Sequence, residues 1–167
     1  MATKMTPSPI RWRALLVCLL IPLGVGGLAA ALTSGSMDVY KALRQPPLAP
    51  PGWVFPVVWT LLYTMMGIAC YLVWVRDSTG LGGALFWYGA QLLCNLLWTL
   101  LFFNMKQYGL AFFWLLGLWA LVLITVVRFF KETPAAGWLL LPYLLWVSFA
   151  AYLNLGVWLL NQPKPMV

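Results

Sequence analysis

The sequence predicts an all-α integral membrane protein, a five-transmembrane-helix bundle with a long ordered loop between its first and second helices. Three observations carry this. Of the 167 residues, 63% are hydrophobic and only 8% are charged, where a soluble domain carries about 25% charge; the mean hydropathy is +0.90. Apolar residues gather into five runs, 14–32, 53–75, 81–103, 109–129 and 138–160, each long enough to cross a hydrocarbon core of about 30 Å. Finally, Gln45 to Tyr63, reading QPPLAPPGWVFPVVWTLLY, packs five prolines and two tryptophans into 19 residues between the first two runs. With no internal period, residues 1–167 read as a single transmembrane domain.

Charge and composition exclude several function classes. The net charge is +7, but the basic residues stand singly or in pairs at the ends of apolar runs, as the positive flanks of membrane helices do. No basic stripe exists to neutralise a row of phosphates, so nucleic acid is not a partner; the lipid membrane is. Histidine is absent, which removes His-ligated metals and the usual nucleophile–base pairs. Cys18, Cys70 and Cys94 lie inside apolar runs without CxxC spacing and read as small core residues. No metal site is expected. Asp38, Asp77 and Glu132 are the only acidic residues, and all three fall in predicted loops, so no carboxylate within a span is available for general acid–base work.

Arg11-Trp12-Arg13 precedes the first span. A basic flank and Ala29-Ala30-Ala31 resemble a signal peptide with its cleavage site, but 19 apolar residues favour a retained helix. Gly24, Gly26, Gly27, Ala30 and Ala31 offer it a small surface for close helix approach, and Pro22 predicts a bend. Thr33 to Pro51 is a long loop, of the kind that is usually functional. Its prolines fix φ and remove donors, which makes a stiff connector and predicts an ordered cap. Gly52-Trp53-Val54-Phe55-Pro56 reads as a helix start, with Pro56 in the first turn. The later turns fall at Arg76–Gly80, Asn104–Tyr108 and Lys131–Pro134.

Polar residues inside a membrane are functional candidates by default. On the third span Trp87, Tyr88, Gln91, Asn95, Trp98 and Phe102 share one helical face; on the second Phe55, Trp59, Tyr63, Met66, Cys70 and Trp74 do; on the fifth Tyr143, Trp146, Ala150, Asn154, Trp158 and Asn161 do. Two readings are open. The carboxamides can be interhelical hydrogen-bond links, with Trp12, Trp53, Trp74, Trp138 and Trp158 as interfacial anchors. Alternatively Trp59, Trp98 and Trp146, which lie within the spans, wall a ligand pocket.

The motifs PxxxPPxWVFxxxWxxLY at Pro46–Tyr63, QLxxNxxWxxxFF at Gln91–Phe103 and PYLxWxxFAxxLN at Pro142–Asn154 resemble, in order along the chain, those of the translocator protein family, also called tryptophan-rich sensory proteins or peripheral benzodiazepine receptors. The resemblance implies a five-helix bundle, often a homodimer, in a bacterial envelope membrane or the mitochondrial outer membrane. It implies a cavity closed by the first loop that binds porphyrins, protoporphyrin IX foremost, and sterols or benzodiazepine-type drugs; no cofactor is required, the porphyrin being a ligand. Position by position, Trp59 and Asn95 match polar contacts to the ligand, Trp98, Trp146 and Ala150 match cavity walls, and Tyr40 and Pro46 match the lid. Phe55, Tyr63 and Tyr143 join the candidate ligand-binding residues from the aromatic faces.

The chain also departs from that pattern. Gln45-Pro46 stands where many members have Lys-Pro, so a cation is lost there, with Lys41 and Arg44 as substitutes. Leu155 and Leu159 replace the tyrosine and arginine of the proposed sterol motif, itself a weak pattern. Phe86 and Ala90 stand where animal members show a glycine pair that serves dimer contact. The expected function is a membrane-embedded porphyrin-binding translocator or sensor. Its alternatives are a light-dependent porphyrin-degrading enzyme, with Trp59 and Trp146 as the catalytic candidates, and a structural or partner-recruiting membrane protein.

Overall fold

The computed structural model describes residues 10–76 and 83–162. These form helices α1 (Trp12–Leu32), α2 (Ser36–Ala42), α3 (Val54–Trp74), α4 (Ala84–Thr99), α5 (Tyr108–Glu132) and α6 (Pro134–Leu160), without a strand among the described residues. Five of them, with α4 continued to Asn104, are long and apolar enough to cross a membrane. The loop after Arg76 and the start of the third predicted span fall largely outside the described residues.

The last two helices run past the apolar stretches that predict them. α5 continues through Lys131 and Glu132, and α6 begins at Pro134 rather than near Trp138. Hydropathy marks where hydrocarbon ends, whereas a helix persists into the headgroup region until its backbone is redirected. Here Thr133 does that with extended dihedrals, φ −159° and ψ 128°, and Pro134 suits the first helical position because its missing N–H has no partner there anyway.

Packing is most extensive between α5 and α6, then α1 and α3, α4 and α5, and α3 and α6. The order around the bundle is therefore α1–α3–α6–α5–α4, closed by thinner α1–α4 contact. Without a hydrophobic drive between helices in lipid, close approach depends on small residues. At Gly67 on α3 the neighbours are backbone atoms of α1: an added Cβ would stand 2.8 Å from Leu19 Cα and 2.9 Å from the Cys18 carbonyl oxygen.

The two ends of the bundle differ. Toward the α3–α4 and α5–α6 turns it is solid: Val73, Tyr88, Phe129, Ala136 and Leu140 are buried, with Tyr88 stacked on Phe129 at 5.7 Å. At the opposite end the helices diverge, and the connection from α1 to α3 covers the gap. Gly35, at φ +85°, makes the left-handed turn from α1 into α2 that a side chain would disfavour. The predicted ordered loop thus contains a short helix, which packs on the end of α4. That end is itself irregular: Leu100–Asn104 forms a π turn, and the Asn104 amide donates to the Leu32 carbonyl at the end of α1 (3.0 Å).

The proline segment is fastened to the last turns of α6. Asn161 accepts from the Arg44 N–H (3.0 Å) and donates to the Arg44 carbonyl (2.9 Å). Tyr152 donates its hydroxyl to the Pro47 carbonyl (2.7 Å), and Pro46 fills the space that a side chain at Gly156 would need, 2.5 Å from its Cβ position. The order expected of this loop comes from those contacts as much as from proline stiffness.

Candidate ligand-binding site

The divergence of the helices leaves a cavity of about 960 Å³ beneath the loop. Four helices build its walls, each with the half that faces the loop. α3 contributes Phe55, Trp59 and Tyr63; α6 contributes Trp146 and Ala150; α4 contributes Trp98 and, from the π turn, Phe103; α1 contributes Gly26, Gly27, Ala29 and Ala30. The aromatic rings form two linked sets. Tyr40 meets Phe55 edge-on at 5.2 Å, Phe55 meets Trp146 at 6.0 Å, and Trp59 stacks on Tyr63 at 5.3 Å and meets Tyr143 edge-on at 6.1 Å.

A second layer holds these rings. The Asn95 amide donates to the Tyr63 hydroxyl at 2.9 Å, and the Tyr143 hydroxyl donates to Gln91 Oε1, also at 2.9 Å. The Trp98 indole N–H donates to Asn154 Oδ1 at 3.1 Å, while the Asn154 amide donates to the Tyr108 carbonyl at 2.8 Å. Gln91, Asn95 and Asn154 are each 1% exposed, so a missing partner would be expensive in this medium. Asn95 Oδ1 and Gln91 Nε2 nonetheless find no partner among the described residues.

The sequence-derived residues therefore separate into three groups. Phe55, Trp59, Tyr63, Trp98, Trp146 and Ala150 line the cavity together. Tyr40 and Pro46 belong to the cover, Tyr40 against Phe55 and Pro46 over Gly156. Asn95 and Tyr143 lie behind the wall: the Asn95 side chain meets Tyr63 and its carbonyl accepts from the wall residue Thr99 (3.0 Å), while Tyr143 meets Trp59. The indoles also differ from one another. Trp98 has its N–H committed to Asn154, whereas the Trp59 and Trp146 N–H groups make no hydrogen bond among the described residues.

The α1 side of the cavity is not apparent from the sequence pattern. The small residues of α1 read as a packing seam, and at Gly26 they are one, since a Cβ there would overlap the Tyr63 ring. Gly27, however, has nothing within 4 Å of a would-be Cβ and borders the cavity, as does Ala30. Small side chains here widen a space instead of closing one. Phe103, also unforeseen, reaches the wall from the π turn, and Lys41 borders the cavity from α2.

The fold and site define a multi-pass integral membrane protein whose bundle encloses a ligand-sized aromatic cavity near one end, under a loop fastened to the last helix. The chain belongs to the TspO/MBR family, whose profile matches residues 17–159. It is 36% identical over 152 residues to the tryptophan-rich protein TspO of Chlorobaculum tepidum, covering 88% of this chain and 95% of that one. It is 39% identical over 140 residues to the tryptophan-rich sensory protein of Cereibacter sphaeroides (81% and 87% covered) and 38% identical over 132 residues to the translocator protein of Ovis aries (75% and 76% covered).

Proposed function

We propose that this protein is a membrane-embedded translocator or sensor that binds flat, largely apolar, amphipathic molecules, with protoporphyrin IX foremost and sterols or benzodiazepine-type drugs as further ligands. The observation that carries the reading is the cavity of about 960 Å³ walled by Trp59, Trp98, Trp146, Phe55, Tyr63 and Phe103. Ligand pockets fall in the range of about 300–1,000 Å³ and pair apolar walls with a few directed polar groups. The walls supply dispersion and burial, and the Trp59 and Trp146 indoles supply the donors. The names of the relatives, which include translocator and sensory proteins, agree with this role. Titration of purified protein with protoporphyrin IX should quench tryptophan emission saturably, with a dissociation constant that survives exchange of detergent. Quenching that scales linearly with pigment, or follows the micelle concentration, would defeat the reading.

A second reading has its own observation. Trp59 and Trp146 both line the cavity with uncommitted indole N–H groups, so electron-rich rings would face a bound photosensitiser. In that reading the illuminated pigment generates reactive species from dissolved dioxygen, the oxidant, which degrade the porphyrin, and Trp59→Phe with Trp146→Phe suppresses the spectral change while most binding remains. Equal bleaching rates in wild type and the double variant would remove the enzymatic role and leave a binding protein.

A further inference from the structure

Between Gln45 and Pro51 the cover makes a sharp turn. The Ala49 N–H donates to the Pro46 carbonyl (3.3 Å), which closes a β-turn with Pro47 and Leu48 at its corners. Leu48 has φ +67°, the mark of a type II turn, whose second corner is normally glycine or asparagine; a leucine there is strained. The same side chain is 83% exposed, more than any other large apolar side chain among the described residues. A residue that breaks the local rule of its turn and gains almost no cover from the protein points to a partner outside it.

The path of the cover identifies that partner. From Arg44 the chain descends along α6, meeting Asn161, then Gly156 through Pro46, then the Tyr152 hydroxyl through the Pro47 carbonyl. Tyr152 lies eight residues before Leu160, the last residue of α6, or about 12 Å down the helix. It belongs to an exposed stripe at seven-residue spacing, Leu145, Tyr152 and Leu159 (70%, 41% and 58% exposed), on the outer face of a helix long and apolar enough to cross a membrane. Leu48 follows Pro47 directly, so the corner of the turn stands beside this stripe, below the end of α6. The segment suits an apolar medium: no charged residue occurs between Arg44 and Arg76, four of the six residues from Pro46 to Pro51 are prolines without an N–H, and the Ala49 N–H is bonded, which leaves few backbone donors to satisfy there.

We propose that Leu48 is a lipid anchor of the cover: the turn enters the boundary between headgroups and acyl chains, and the leucine side chain lies among the acyl chains beside α6. The partner is the bilayer itself. Burial there removes the exposed apolar surface from water, and the lid of the cavity is held by lipid from outside as well as by Asn161 and Tyr152 from within. This is independent of what the cavity binds.

The test puts a nitroxide at position 48 (Leu48→Cys, with Cys18, Cys70 and Cys94 replaced by alanine) in phosphatidylcholine nanodiscs. It measures collisions with dioxygen, which concentrates in the bilayer, and with a water-soluble nickel chelate. Leu145→Cys is the lipid reference, and Asp38→Cys, at a side chain 87% exposed, is the aqueous one. The oxygen-to-nickel ratio at position 48 should match that at 145. A ratio matching that at 38 overturns the anchor, and so do low collision rates with both reagents, which would mean that a second copy of this chain covers the residue. A second measurement keeps the native cysteines. In Leu48→Asn, amide hydrogen exchange across residues 43–52 in the same nanodiscs should accelerate about fivefold, the equivalent of returning about one CH₂ group to water. Asparagine suits the positive φ, so relief of the turn alone would slow exchange; unchanged or slower exchange overturns the anchor.

Discussion

Replacing Asn95 with alanine tests whether the hydrogen-bonded layer behind the aromatic wall matters to ligand binding or only to folding. Asn95→Ala removes the 2.9 Å bond to the Tyr63 hydroxyl, and Tyr63 is 6% exposed, so that hydroxyl is left without a partner. The lost bond weakens the native arrangement by about 0.5–1.5 kcal/mol, and the stranded hydroxyl can raise this to about 3 kcal/mol. Loss of the Asn95 Oδ1 atom, itself unpartnered, offsets part of that. Because Tyr63 lines the cavity and stacks on Trp59, a released Tyr63 ring disturbs the ligand face directly. The dissociation constant for protoporphyrin IX should rise roughly two- to tenfold, the equivalent of one hydrogen bond. Gln91→Ala is the matched control. It strands the Tyr143 hydroxyl in the same way, but Tyr143 sits behind Trp59 and does not border the cavity. Thermal stability in detergent should therefore drop comparably in both variants, while affinity drops chiefly in Asn95→Ala. Equal losses of affinity accompanied by equal thermal destabilisation would reduce both residues to interhelical links and refute the positioning argument. A double-mutant cycle with Tyr63→Phe sharpens the test: if Asn95 acts through the Tyr63 hydroxyl, its affinity effect should largely vanish in the Tyr63→Phe background.

Two further perturbations probe the frame around the site. Gly67→Leu places a side chain where backbone atoms of α1 stand 2.8–2.9 Å from the Cβ position, so α1 must move off α3; overpacking of this kind costs about 1–3 kcal/mol or more, and a lower melting temperature together with weaker ligand binding is expected. An unchanged melting temperature would show that α1 is not held at Gly67. Asn161→Ala removes both bonds to the Arg44 backbone, and amide hydrogen exchange across residues 43–52 should accelerate by about an order of magnitude while the five spanning helices keep their protection. Unaltered exchange in that segment would mean that Pro46 over Gly156 and Tyr152 suffice to hold the cover.

Much of this protein is legible residue by residue because the signals are local. Apolar run length gives the five spans, and a 3.6-residue period places Phe55, Trp59 and Tyr63 on one face of α3 and Tyr88, Gln91, Asn95 and Trp98 on one face of α4. Proline density between Gln45 and Pro51 marks a stiff cover. What the period cannot give is the rotational setting of one helix against another, which depends on every contact between them. Whether Asn95 faces a ligand or Tyr63, and whether the Trp98 indole is offered to the cavity or spent on Asn154, are decided there. The same holds for the α1 glycines: Gly26 meets Tyr63 while Gly27 meets open space, because successive residues point about 100° apart around the helix and only one of those directions faces α3. Sequence alone determined that this chain crosses a membrane five times with aromatic helix faces under a rigid loop. Only the tertiary structure decided which of those faces enclose a cavity, since that follows from how the helices pack against one another, which no single segment encodes.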